Sequence, residues 1–166
     1  MEHITISLWS LALLIAVALA FDFMNGFHDG ANSISTIVAT GALTPKQAVL
    51  FAAFFNFAAL WIFELRVAAT IGKGTVDPAL VDHFVIFGAL MGALIWNIIT
   101  WYYGIPSSSS HALVGGLVGA TVVKAGGLTP IVWSGFGKIL ILIIISPLVG
   151  FLIGGLLLAG VAWVFR

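Results

Sequence analysis

Residues 25–32, Asn25-Gly-Phe-His-Asp-Gly-Ala-Asn32, separate two apolar runs with a carboxylate, an imidazole and two amides. We call these residues the first polar segment. In water such a composition would indicate an ordinary loop, because Asn, Asp and Gly readily form turns. In a bilayer an ionisable side chain is costly and is retained only where it faces protein or a watery cavity. In a membrane protein, this segment would therefore mark a functional site.

The composition indicates an integral membrane protein. Of the 166 residues, 61% are hydrophobic and only 7% are charged, whereas soluble domains contain roughly 25% charged residues. The six basic and six acidic residues cancel, so the chain has no basic face for nucleic acid. The absence of cysteine excludes disulfides, thiolate metal ligands and a cysteine nucleophile. Residues 1–7 lack the basic region of a signal peptide, so we expect the first apolar run to be a retained helix.

The apolar runs predict an all-α polytopic membrane protein with about five to six membrane segments, some of them broken or re-entrant half-helices. The first run, Ser7 to Met24, is long enough to span most of a hydrocarbon core of ~30 Å, whereas Ser33 to Leu43 is too short to cross alone. A straight helix from Ser7 to Leu43 would measure roughly 55 Å. We therefore expect the helix to break at the first polar segment.

Two similar pentapeptides indicate helix boundaries. In Gly41-Ala-Leu-Thr-Pro45, Gly ends one helix, Thr caps the next and Pro takes its first position. Gly126-Gly-Leu-Thr-Pro130 repeats this pattern. We expect a spanning helix after each, at Gln47 to Phe63 and at Ile131 to Phe165. The second is long enough that it must be tilted, broken at Ser146-Pro147 or folded as two pieces.

The residues between the second and third spans form the most polar stretch of the chain. We expect Glu64 and Arg66 to lie at the membrane interface and Asp77-Pro78 to form a turn. A further span follows at His83 to Tyr103 and ends in a belt of aromatic residues.

A second polar segment, Gly104-Ile-Pro-Ser-Ser-Ser-Ser-His111, follows this span directly. Behind it lies another short apolar run, Ala112 to Val123. The order of parts is thus the same twice: a polar segment, a short helix, the pentapeptide and a long helix. Interrupted hydrophobic segments at corresponding positions indicate a transporter binding site near the membrane midplane.

The chemistry of both segments suits an anion that is held and then released. Half-helices beginning after Asn32 and within Ser107 to Ser110 would present free backbone N–H groups and a positive dipole end. Asp29 would repel an anion unless it carried a proton or bound Na+, and this dependence is the physical basis of symport. His28 and His111 could share the proton transfer.

Structural interpretations of the same residues stay open. Each histidine could be a neutral ring that is hydrogen-bonded between helices, and the serines could serve only for helix capping and close packing. Asn56 and Asn97 are interpreted as interhelical hydrogen-bond donors rather than ligands.

Two other classes of function are alternatives. An intramembrane serine hydrolase would need His28 as the base, because Ser110 and His111 are adjacent in sequence, and the chain has no Gly-x-Ser-x-Gly motif. The other alternative is an inactive half-transporter or scaffold.

The two polar segments resemble motifs of the inorganic phosphate transporter family. Residues 25–32 are similar to its Gly-x-Asn-Asp-x-Ala-Asn motif in the bacterial form with His before Asp, and residues 104–111 to its Pro-x-Ser-Thr/Ser-Thr/Ser-His motif. Further similarities follow in the expected order, at Ala53 to Asn56, Ile95 to Tyr102, Trp133 to Lys138 and Ser146-Pro147.

The resemblance implies a symporter in the plasma membrane that is not an enzyme, needs no cofactor and moves inorganic phosphate or metal-phosphate with H+ or Na+. Sulfate, another tetrahedral oxyanion, is the alternative substrate. The residues that it implies for substrate binding are Asn32, Ser108, Ser109, Ser110 and His111. The resemblance ties Asp29 and Asn32 to the cation, with Na+ placed at these two residues, and the full set of candidates for cation coupling is Asp29, Asn25 and His28.

Family members contain two inverted halves, and this chain resembles the first. Residues 1–166 are therefore expected to form one transmembrane domain that corresponds to the first inverted repeat. Either the sequence is a truncated or split product, or two copies pair about an axis in the membrane plane to rebuild the missing half. The expected partners are accordingly the lipid bilayer, phosphate, and a second half or an inverted copy.

Overall fold

A computed structural model describes residues 7–62 and 74–165 of the chain. These residues form five α-helices and one short 3₁₀ turn at Pro78–Leu80, with no β-strand beyond an isolated bridge between Val76 and Ile131. The helices are α1 Leu8–Ala39, α2 Pro45–Ile62, α3 His83–Tyr102, α4 Ser109–Ala125 and α5 Trp133–Val164. The all-α prediction is confirmed.

Helix α1 does not break at the first polar segment, so that prediction was wrong. It continues for 32 residues through residues 25–32, or about 48 Å at the usual rise. No proline interrupts the segment, and Gly26 and Gly30 are single glycines that a helix tolerates. A helix can be longer than the hydrocarbon core is thick, so the length of this stretch does not require a break.

The first pentapeptide forms the predicted boundary. Gly41 adopts a left-handed conformation with φ of 72° just after α1, where only glycine is free of steric cost. The Thr44 hydroxyl accepts from the Gln47 backbone N–H at 3.4 Å, and the Thr44 backbone N–H donates to the Gln47 side chain at 3.1 Å. This reciprocal pair is a capping box that starts α2 at Pro45.

The second pentapeptide ends a helix but does not start the next. Gly126 closes α4 with φ of 68°, whereas α5 begins only at Trp133. The intervening residues are held by another part of the chain, because the Asp77 backbone N–H donates to the Pro130 carbonyl at 2.8 Å. The predicted restart at Pro130 was therefore wrong, since residues 130–132 pair with residues 75–77 instead.

The polar stretch before α3 is described only in part. The predicted turn at Asp77-Pro78 is confirmed, as Asp77 caps the 3₁₀ turn by accepting from the Ala79 backbone N–H at 2.9 Å. Glu64 and Arg66 lie outside the described residues.

Helices α3 and α4 form a closely packed antiparallel pair. A Cβ atom added to Gly116 of α4 would overlap the Ala89 carbonyl oxygen of α3, and one added to Gly88 would approach the Ala120 side chain to 3.3 Å. Small residues at such spacing let helix backbones approach closely in a bilayer. At the far end of the pair, Lys124 Nζ lies 2.7 Å from Asp82 Oδ2. Helix α3 also packs on α1, so it is the centre of the described structure.

The chain breaks between α3 and α4, as the sequence predicts. Gly104 has φ of 64°, and Pro106 restricts the residue before it to an extended conformation. The Ile105 backbone N–H donates to the Thr100 carbonyl at 2.8 Å and so closes the end of α3. The new helix, α4, then begins at Ser109, within the run of four serines.

Helix α5 is one continuous element of 32 residues, although Pro147 lies inside it. The prediction left open a tilt, a break or two pieces, and the structure contains no break. Helices α1, α3 and α5 are long and apolar enough to cross a membrane, and most of their large apolar side chains are exposed. In length and composition, these three helices agree with the prediction of a multi-pass membrane protein.

Candidate functional site

The polar residues of α1 lie along one face of that helix. Asn25, His28, Asp29 and Asn32 occupy positions i, i+3, i+4 and i+7 of an unbroken helix, and residues so spaced share a face. His28 is only 8% exposed, whereas the Asp29 side chain is 44% exposed. Asn32 is exposed. Because the helix is continuous, the first polar segment presents side chains and not free backbone N–H groups.

The four serines of the second polar segment have different environments. The Ser107 hydroxyl accepts from Trp96 Nε1 at 3.0 Å, which fixes the loop against α3. Ser108 is the N-cap of α4 and accepts from the His111 backbone N–H at 3.4 Å. Ser109 is buried, whereas Ser110 is exposed. The capping interpretation thus describes Ser108, but it does not account for Ser109 or Ser110.

A hydrogen bond joins the two polar segments. The Ser109 hydroxyl donates to Asp29 Oδ2 at 3.1 Å, although the two residues are 80 positions apart in the chain. On the other side of the carboxylate, His28 Nδ1 lies 3.6 Å from Asp29 Oδ1. Nearby, the rings of Phe27 and Trp101 pack with centroids 5.7 Å apart, which ties α1 to the end of α3.

A groove of about 630 Å³ lies between α3 and the start of α4, and we call it the serine groove. Its lining includes Trp96, Ser107, Ser108, His111 and Gly116. The groove lies at the start of α4, where the positive end of the helix dipole and the unpaired N–H groups of its first turn favour an anion.

The structure thus brings together only some of the predicted site residues. Asp29, His28 and Ser109 are in contact, and Ser108 and His111 line the serine groove. Asn32 lies on the same face of α1 as Asp29 and is exposed. The predicted half-helix after Asn32 does not exist, so of the two helix N-termini expected to bind an anion only that of α4 is present.

The geometry does not support the serine hydrolase alternative. The hydroxyl that contacts Asp29 belongs to Ser109, and it donates to the carboxylate rather than to an imidazole. A serine nucleophile requires a base that accepts its proton, with the carboxylate behind that base. Within residues 7–62 and 74–165, no group of three or more His, Asp or Glu residues could hold a metal ion either.

Asn97 is a polar residue whose role the sequence did not reveal. It is 1% exposed, and neither of its amide atoms has a hydrogen-bond partner among the described residues. Asn56 lies exposed on α2. The interhelical hydrogen bond predicted for Asn97 is therefore not formed within the described residues, and the interpretation of Asn56 stays a prediction. A buried position for Asn97 could have been inferred from Ala89 and Ala93, which precede it at four-residue spacing.

Comparison with known proteins assigns the family. A model described as the phosphate transporter family matches residues 25–166. The chain belongs to the phosphate transporter family. A protein of Rhizobium meliloti named "probable low-affinity inorganic phosphate transporter" is 58% identical, over 92% of this chain and 45% of its own length. A protein of the same name in Bacillus subtilis is 47% identical, over 93% of this chain and 46% of its own length. The protein of that name in Mycobacterium tuberculosis H37Rv is 45% identical, over 90% of this chain and 36% of its own length.

These comparisons confirm the resemblance seen in the two polar segments. The chain spans less than half the length of the three relatives. No solved structure matches it. With its apolar helices, the family assignment identifies a multi-pass protein of the plasma membrane. It also confirms that the chain comes from a family of transporters and not of enzymes.

Proposed function

We propose that this chain takes part in secondary active transport of inorganic phosphate across the membrane, coupled to H+ or Na+. The observation that carries the proposal is the hydrogen bond from Ser109 to Asp29, which joins the anion-favouring start of α4 to a carboxylate. The names of the relatives supply the substrate class.

Electrostatics supports the coupling. Phosphate and an ionised Asp29 carry charges of the same sign and therefore repel each other. A proton or a Na+ ion on Asp29 removes this repulsion, so the cation and the anion bind better together than either binds alone. His28, beside the carboxylate, and Asn25, one turn before it, are the other residues assigned to the cation, and Asn32 is the second ligand proposed for Na+.

The anion is assigned to the start of α4. Ser110 and His111 are exposed there, and Ser108 lines the serine groove. Ser109 would release Asp29 and donate to phosphate once the carboxylate is neutralised. Asn32 adds an amide donor from α1. The absence of Lys and Arg from both segments leaves neutral donors, which permit release.

We also propose that the described residues form only part of the binding site. A second half of the transporter, or an inverted copy of this chain, would supply the remaining ligands. The broad exposure of α5 and α2 leaves apolar surface for such a partner, with lipid covering the rest. An inactive half-transporter is the alternative.

The test is uptake of labelled phosphate into liposomes that contain the purified chain, with a Na+ or a proton gradient. Asp29→Asn keeps the shape of the side chain and removes its charge. We expect it to lower gradient-driven uptake at least about tenfold, since an uncharged amide cannot bind the proton or Na+. Asp22→Asn, at an exposed carboxylate on the same helix, is the matched control and should retain uptake.

Unchanged uptake in Asp29→Asn would refute the assigned role of this carboxylate. Absence of uptake in the unaltered, folded chain would favour the inactive half-transporter. Competition separates the substrates, because a phosphate site should accept arsenate and ignore sulfate, whereas inhibition by sulfate would support the other oxyanion.

A further inference from the structure

The register between α3 and α4 places Asn97 beside the contact between the two polar segments. Asp82 is paired with Lys124, Gly88 approaches Ala120, and Ala89 meets Gly116. In an antiparallel pair, each step forward along α3 corresponds to a step back along α4. Continued to the end of α3, this register brings Asn97 level with Ser109, whose hydroxyl donates to Asp29.

Asn97 lies on α3, against which α1 and α4 pack, and these two helices carry Asp29 and Ser109. Its side chain lies on the buried stripe of α3 with Ala89, Ala93 and Thr100, and α1 and α4 are the helices that pack extensively on α3. At 1% exposure, its amide has lost contact with solvent. Thr100, one turn on, is satisfied by donating to the Trp96 carbonyl at 2.9 Å. The Asn97 amide, in contrast, is unpaired within the described residues.

The unpaired atoms near this level are mainly oxygens. Asn25 Oδ1 on α1 is also buried without a partner among the described residues, and Asn25 lies one turn before Asp29 on the same face. Two amide oxygens, a carboxylate and a hydroxyl are hard ligands of the kind that hard cations prefer. The only carboxylate among these four groups is that of Asp29, and its charge matches that of a monovalent cation.

We propose that Asn97 is a ligand of the coupling cation and that, with Asn25, Asp29 and Ser109, it forms a site for Na+ between α1, α3 and α4. This inference rests on the proposed coupling to a cation and goes beyond it, because it names the ion and adds a residue from α3. It also explains why an amide stays unpaired in a helix interface. A buried polar group without a partner destabilises the fold, and binding of the ion would satisfy it.

The experiment measures the thermal unfolding temperature of the 166-residue chain in detergent, without phosphate. NaCl is increased while choline chloride or KCl keeps the ionic strength constant. A ligand that binds only the folded state raises this temperature, and we expect Na+ to raise it by about 2–6 °C at saturation. K+ and choline should give a much smaller rise.

Asn97→Leu distinguishes a ligand from a structural amide. Leucine fills the same volume without polar atoms, so in choline this variant should unfold at or above the temperature of the unaltered chain. Its response to Na+ should vanish or require at least about tenfold more Na+, because one ligand of the ion is lost. The matched control is Asn56→Leu, which replaces an exposed asparagine of α2 and should keep the full response.

Two results would overturn the proposal: a normal Na+ response in Asn97→Leu, or no Na+ response in the unaltered chain. If Asn97→Leu does not fold, Asn97→Ala removes the same amide without adding volume, and failure of both to fold would show that the amide serves folding.

The experiment distinguishes failure of the proposed transport from failure of the proposed Na+ site. A Na+ response without phosphate uptake would refute only the proposed function, and proton-driven uptake without a Na+ response would refute only this inference.

Discussion

The two polar segments have similar side chains but opposite effects on the backbone. Residues 25–32 pass through the middle of an unbroken helix of 32 residues, whereas residues 104–111 end one helix and begin another. Both contain glycine and hydrogen-bonding side chains, and both interrupt apolar runs. Polarity inside a membrane protein therefore marks a site without indicating whether the backbone unwinds there.

The glycine and proline residues of the two segments account for the difference in their backbones. The second segment combines Gly104, with φ of 64°, and Pro106, which cannot donate a backbone hydrogen bond and restricts its neighbour. The first segment contains glycines with ordinary helical geometry and no proline. Its helix keeps all backbone hydrogen bonds, as a lipid environment requires. The site consequently combines side chains from a helix face with N–H groups from a helix end.

The largest loss of stability is expected when a proline, such as the second segment contains, is introduced into the first segment. Phe27→Pro removes a hydrogen bond from the middle of α1 and causes a clash with the preceding turn, at a cost of about 3 kcal/mol or more. Phe27→Ala loses the ring contacts with Phe23 and Trp101 but leaves the helix intact. Chemical or thermal unfolding followed by circular dichroism gives the difference. Equal stability of the two variants would mean that α1 is already broken at this position.

A smaller loss of stability is expected from a substitution in the contact between α3 and α4, which positions Ser109. Gly116→Ala forces a methyl group against the Ala89 carbonyl, and overpacking of this kind costs about 1–3 kcal/mol. Gly119→Ala meets nothing within 4 Å and should be neutral or stabilising, because alanine favours helix more than glycine does. Thermal unfolding of both variants checks the prediction. If both substitutions destabilise equally, the close approach of the two helices is refuted.

The smallest effect concerns the ion pair at the opposite end of the same helices. Lys124 and the Val85 backbone N–H hold the pKa of Asp82 below its ordinary value of 3.8. A lowered pKa stabilises the fold above the unfolded value, and this contribution is lost as the pH falls through the folded value. Asp82→Asn keeps a capping side chain and should cost only about 0.2–1 kcal/mol at neutral pH.

The pH dependence provides the check for Asp82. Between about pH 5 and pH 2, the unaltered chain should lose more stability than Asp82→Asn does, because only the former has this carboxylate to protonate. Parallel loss in the two proteins would mean that the ion pair with Lys124 contributes nothing to folding.

The sequence predicted the backbone best where glycine and proline act locally. Gly41 and Gly126 end helices as expected, because only glycine adopts their left-handed conformation without cost. The start of α2 at Pro45 followed from local capping chemistry in the same way. The start of α5 could not be predicted, since it depends on pairing of residues 130–132 with residues 75–77.

The sequence indicated which residues are candidates for the site, but not how they are arranged. Asp29 and Ser109 were both identified as functional candidates, yet nothing local shows that they are hydrogen-bonded across 80 residues. The helical spacing of Asn25, His28, Asp29 and Asn32 was visible in the sequence, and it would have indicated one continuous face. Asn97 was overlooked as a ligand because a buried amide in an apolar helix is more often a structural donor.

Cross-linking between α1 and α4 tests most directly whether the two polar segments form one site. The chain contains no cysteine, so the double variant Asp29→Cys, Ser109→Cys carries the only thiols. We expect a short thiol-specific cross-linker to join them rapidly in membranes. The control pair, Asp22→Cys with Ser109→Cys, lies about 10 Å further along α1 and should react slowly. Equal cross-linking of the two pairs, or none between positions 29 and 109, would contradict the account.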